Sequence, residues 1–117
     1  MAAPRRLEGE VRSDLERRAR VMKPLAHPSR LFIVDELSRG ERCVCELQEL
    51  VGADMSTVSK HLAALRHAGL VRDERRGNQV FYSLVAPCVL DFIDCVAKVT
   101  GQPVVHQLTD TASRGDR

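Results

Sequence analysis

Apolar residues fall into distinct rhythms along the 117-residue chain, and each rhythm predicts an element. Leu7, Val11, Leu15, Ala19 and Met22 recur every three or four positions among charged neighbours, predicting an amphipathic first helix that Pro24 ends. His27-Pro28-Ser29 restarts the chain, because proline is tolerated in a first helical turn. Leu31, Val34 and Leu37 then share a face until Ser38-Arg39-Gly40 stops a second helix. A short third helix is predicted over 46–51, closed by Gly52. Val58, Leu62 and Leu65 define the inner face of a fourth, with Asp54 as its N-cap and Gly69 as a left-handed stop. The period then shortens. Segments 70–75 and 79–84 read as strands on either side of Arg76-Gly77-Asn78, which predicts a hairpin. Pro87 opens a last helix over 88–100, apolar on most sides through Val89, Leu90, Phe92, Ile93, Val96 and Val99. A helix that apolar is expected to pack against a second copy of the chain.

The order of elements predicts a mainly α fold with a small β-hairpin wing: a homodimeric winged helix-turn-helix over residues 1–101, followed by a polar, flexible tail over 102–117. The outer face of the fourth helix carries Ser56, Lys60, Ala63 and His67, flanked by Thr57 and Ser59. Short hydroxyls and Ala let a helix sit deep in a DNA major groove, where a solubilising face would carry Glu and Lys. Ser56, Thr57, Ser59 and Lys60 are therefore the candidate groove contacts, with Lys60 able to serve phosphate alone. His67 faces outward toward phosphate, and Arg75 and Arg76 at the hairpin tip are candidates for backbone or minor-groove contact. His61, at the edge of the apolar face, reads as a packed structural histidine, His27 as a helix-start residue, and Arg30 as a solvated side chain with phosphate contact as its alternative.

Composition narrows the partner. The net charge is only +2, but residues 1–30 hold eight basic and four acidic side chains, 31–55 two and six, and 56–80 five and two. Basic charge thus gathers around the fourth helix and just beyond it, where phosphates would lie. Aromatic residues make up 3% with no Trp, which argues against the stacking platforms of single-strand binders. No apolar run approaches a membrane span and the first residues lack a secretory signal's apolar middle, so a cytoplasmic location is expected. Four cysteines in such a chain point to metal binding or redox chemistry rather than a disulfide framework.

The specific words resemble a known family. Residues 25–31, Leu-Ala-His-Pro-Ser-Arg-Leu, resemble the opening of the second helix in the ArsR–SmtB repressors. Arg42-Cys43-Val44-Cys45-Glu46-Leu47 resembles their metal box, Ser56-Thr57-Val58-Ser59-Lys60-His61-Leu62 their recognition helix, and residues 77–84 their wing. The likeness covers about residues 12–100, with four motifs in order. It implies a homodimeric repressor that holds a palindromic, double-stranded operator when free of metal and leaves it on binding metal. His27 stands where that motif usually carries Asp. The last helix has Asp91 without the His or Glu set from which some relatives build a zinc site.

Two thiols one residue apart lie roughly 200° apart on a helix but point the same way in extended chain. Cys43 and Cys45 can share an ion only where the chain is extended or partly unwound at the start of the third helix, which props the fourth. Ligation would then compete with the geometry that DNA requires. Thiolates select soft ions, from arsenite and antimonite to cadmium, mercury, copper(I) or zinc. Only Glu41 and Glu46 flank the pair, so with the resemblance an all-sulfur site favours arsenite or antimonite as inducer. Such an ion takes three thiolates. Cys88, in the first turn of the last helix where the dipole favours a thiolate, is the preferred third ligand, from the same or the partner subunit. Cys95, seven residues on, reads as a small apolar filler. The alternatives are a cadmium- or zinc-responsive repressor, and a cysteine-based redox or sulfide sensor, whose relatives take one thiol from each of two separate helices. A Gly-rich phosphate loop, a base beside a nucleophile and a Cys-x-x-Cys spacing are all missing, so neither an enzyme nor a small organic substrate is expected.

Overall fold

Proline, glycine and short polar residues set the element boundaries. The computed structural model describes residues 3–101, so the tail predicted over 102–117, His106 included, lies outside the described residues. Helix α1 spans Gly9–Met22, and Pro24 sits in the short 3-10 turn Lys23–Leu25 that follows. Helix α2, Pro28–Ser38, begins at a proline whose missing N–H would have had no helical partner. His27 caps it, its Nδ1 accepting from the Ser29 N–H at 3.1 Å. Strand β1 is only Arg42–Cys43, helix α3 is Val44–Val51, and Gly52 ends α3 at φ 76°. Helix α4, Met55–His67, starts as expected at Asp54, whose Oδ1 accepts from the Thr57 N–H and the Ser56 hydroxyl, both at 2.8 Å. It stops at Gly69, with φ +82°, where the Leu70 N–H closes on the Leu65 carbonyl at 3.0 Å. Strands β2 (Val71–Arg76) and β3 (Gln79–Leu84) meet at the two-residue turn Gly77-Asn78, and helix α5 is Val89–Thr100.

Two features depart from the sequence expectation. The sheet has three antiparallel strands in the order β1-β3-β2, with Arg42 opposite Tyr82 and Cys43 opposite Phe81. A two-residue edge strand has no period to read. Helix α3 also starts at Val44, two residues earlier than predicted. Cys43 is the reason: its side chain accepts from the Glu46 N–H while the Glu46 carboxylate takes the Cys43 N–H at 2.9 Å, a reciprocal cap.

The core joins Ile33, Val34 and Leu37 of α2 to Leu47 of α3, Val58, Leu62 and Leu65 of α4, and Leu70, Val71 and Tyr82 at the sheet. It therefore sits directly behind α4 and fixes its aim. Truncating Leu62, only 1% exposed, to Ala would cost about 2–5 kcal/mol. Helices α1 and α5 bury no residue, and Phe92, Val96 and Val99 of α5 remain exposed in the single chain. Among the described residues no helix is long and apolar enough to cross a membrane.

Candidate DNA interface and thiol site

Because Val58, His61, Leu62 and Leu65 turn inward, α4 presents Ser56, Ser59, Lys60 and His67 to solvent, with Thr57 half-buried on the flank. The structure thus brings the predicted groove contacts onto one outward helix. Hydrogen bonds to the Thr57 backbone and the Ser56 side chain hold the Asp54 carboxyl below its ordinary range, which keeps the cap ionised. The Ser56 hydroxyl donates to that carboxylate, so its lone pairs remain to accept from a base amino group.

The wing is anchored on one flank of α4 by Arg66, which reaches Asp73 of β2 at 3.1 Å. Arg75 is exposed near the tip. Arg76, the other candidate for backbone or minor-groove contact, is engaged by the protein itself in this single chain. Its guanidinium is gripped by both oxygens of Glu41 at 2.6 and 2.8 Å and by Glu74 at 2.7 Å, and lies 4.7 Å over the Phe81 ring. These carboxylates hold it still more firmly protonated than usual. Glu41 immediately precedes β1, so this fork ties the wing to the segment that bears the thiols.

Cys43 is buried in its capping position, whereas Cys45, one residue into α3, is exposed. The pair therefore straddles a strand-to-helix junction, half extended as the chelation geometry asks and half helical. Cys88 is the residue before α5, exposed like Cys95 within it. Among the described residues of one chain, no three His, Cys, Asp or Glu side chains converge on a point that could hold a metal ion. Cys43, Cys45 and Cys88 are not assembled in this conformation of a single chain.

Comparison with known proteins gives this geometry a context. Residues 27–73, from the cap of α2 into β2, match the family described as bacterial regulatory protein, arsR family. The biofilm growth-associated repressor of Xylella fastidiosa is 40% identical over 78 residues, which is 63% of this chain and 68% of that protein. The chain belongs to the arsR family of bacterial regulatory proteins. The arsenic resistance transcriptional regulator ArsR1 of Pseudomonas putida is 39% identical over 79 residues, 67% of this chain and 61% of that one. The homodimeric winged helix-turn-helix DNA-binding domain of a Mycobacterium bovis protein described as a possible ArsR-family transcriptional regulator superposes with a TM-score of 0.69 at 32% identity, over 78% of this chain and 88% of that one. Proteins of the arsR family are DNA-binding transcriptional regulators rather than enzymes.

Within this arsR-family scaffold the structure keeps His61 as the packed histidine expected and gives two other side chains, Arg30 and Glu41, partners that sequence reasoning did not anticipate. His61 is buried on α4, and its Nδ1 accepts from Arg30 Nε at 3.1 Å, so Arg30 is half-buried and engaged rather than solvated. The His27 ring packs against His61 with centroids 4.5 Å apart. Burial foremost, then the neighbouring His27 and Arg30, push the His61 pKa below its ordinary value, leaving a neutral acceptor for the arginine. The second is Glu41, whose partner lies thirty-five residues away on the wing.

Proposed function

We propose that this chain is a homodimeric, cytoplasmic repressor that grips double-stranded operator DNA through α4 and the wing and releases it when Cys43, Cys45 and Cys88 ligate trivalent arsenic or antimony. One observation carries the reading: Cys43 is simultaneously the cap of α3 and a strand residue paired with the wing. Trivalent arsenic supplies a soft acceptor for three thiolates, which suits an all-sulfur donor set better than nitrogen and oxygen ligands would. For Cys43 and Cys45 to act together, Cys43 must give up the Glu46 N–H and turn out of its buried position. The first turn of α3 then loses its cap, and the β1 pairing with β3 is strained. Since α3 packs on α4, the reader helix and the wing lose their common support together. DNA binding and thiol ligation are thus opposed conformations of one segment, coupled as any two linked equilibria are. The third thiolate comes from Cys88, carried either by motion within the chain or by the second subunit.

The test is operator binding by purified protein titrated with arsenite and, separately, with an oxidant or polysulfide. Arsenite should release the wild type and leave a Cys43→Ser, Cys45→Ser double variant bound. X-ray absorption of the arsenite-loaded protein should count three sulfur neighbours, falling to two in Cys88→Ser. Release of the double variant by arsenite, or release of the wild type by the oxidant alone, would refute the metalloid reading.

A further inference from the structure

On α4, at about 100° per residue, Arg66 falls on one flank and Ala64 and Ala68 on the other, with Ser56, Lys60, Ala63 and His67 between them. The wing occupies the Arg66 side, through Asp73. The opposite side is not bare protein: Ala64, His67 and Ala68 form one wall of an open cleft of about 600 Å³ whose other walls carry Arg17, Arg20, Lys23 and Arg30. Four permanent cations and a histidine thus face one concave surface alongside the reader. Asp14 lies 3.6 Å from Arg17, and both of those side chains are well exposed. Arg30 is fixed rather than loose, because the buried His61 takes its Nε and leaves the terminal nitrogens for the cleft.

A helix seated in the major groove has a sugar–phosphate backbone along each edge of that groove. A wing on one flank serves one edge. We propose that the cleft between α1, the turn at Pro24 and the C-terminal half of α4 is the second phosphate rail, receiving the DNA backbone on the edge opposite the wing, and it rests on the operator-binding reading above. Helix α1 is built for both tasks: Arg17 and Arg20 lie roughly opposite Leu15 and Met22. A second subunit can therefore cover the apolar stripe without closing the cleft. Contacts of this kind position the protein and carry no sequence information, so they strengthen binding to any duplex.

The experiment measures binding to a duplex from upstream of the protein's own gene and to an unrelated duplex of equal length, across a salt series. Arg17→Ala, Arg20→Ala and Lys23→Ala combined should weaken both duplexes by at least about tenfold and flatten the salt slope by about two to three. The charge-retaining set Arg17→Lys, Arg20→Lys and Lys23→Arg should keep the wild-type slope. All three positions are exposed, and a thermal melt checks that the variants remain folded. An unchanged slope in the alanine set overturns the rail, as does binding of inorganic pyrophosphate in the cleft with duplex affinity unaffected. Equal wild-type affinity for the two duplexes would instead defeat the operator reading, while the slope on the unrelated duplex still decides the cleft.

Discussion

At Cys43 a single side chain does structural work that a metal ligand must abandon. A thiol is a weak acceptor and an inferior helix cap, whereas a hydroxyl at the same place is a preferred one. Cys43→Ser should therefore leave α3 at least as stable as in the wild type, and Cys43→Ala should lower the melting temperature; equal melting of the two would remove the cap from consideration. His61 offers a second check at this scale. Burial, His27 and Arg30 depress its pKa below 6.5, so below that pH the unfolded chain binds a proton that the folded chain resists. Stability then rises with pH through this window: the contribution is present at neutral pH and lost as pH falls below about 6.5 toward the depressed value. Melting temperature should drop between pH 7.5 and 5.5 in the wild type and much less in His61→Gln, whose amide oxygen can still accept from Arg30. A parallel drop in both proteins would place the titration elsewhere.

Helices α2, α4 and α5 and the hairpin were legible in the sequence because each has a strong period with a marked end, as Asp54 and Gly69 mark α4. What stayed hidden depends on partners distant in the chain. Strand β1 exists because β3 supplies its hydrogen bonds, and α3 begins early because Glu46 folds back on Cys43. Glu41 looked like a flank of the thiol pair, yet in space it belongs to the wing. The reader face could be laid out residue by residue, whereas the three cysteines gave types and spacings without a meeting point. The Glu41–Arg76 fork also makes a prediction for the wing. An exposed ion pair contributes little to stability, so its consequence is one of placement. Glu41→Gln should loosen Arg76 toward phosphate, raise affinity for an unrelated duplex about two- to fivefold and steepen the salt slope by up to about one. In the Glu41→Gln, Arg76→Gln double variant that gain should vanish, as a coupled pair requires. A gain that persists in the double variant would come from the lost carboxylate alone.

Across the whole molecule, polarity is divided between two jobs. Cationic side chains flank α4 at the wing and at the cleft, while Phe92, Val96 and Val99 of α5 and one stripe of α1 face away from the core that Val89, Leu90 and Ile93 pack against. Phe92, Val96 and Val99 are 41%, 47% and 86% exposed, spaced three and four apart so that they form one helical face. Left in water, such a face is unfavourable by the usual hydrophobic reckoning; covered by its own symmetry mate, it becomes a two-fold interface in which each α5 meets the other. That symmetry would set two α4 helices against successive major-groove segments, so dimerisation and operator affinity should fall together. Val96→Glu places a charge in the middle of the face without touching the core or α4. It should shift the sedimenting species from dimer to monomer at micromolar concentration and reduce operator affinity by more than tenfold, with a smaller loss on unrelated DNA. A Val96→Glu protein that still sediments as a dimer would show that α5 is not the joint, and the two reader helices would have to be brought together by another surface.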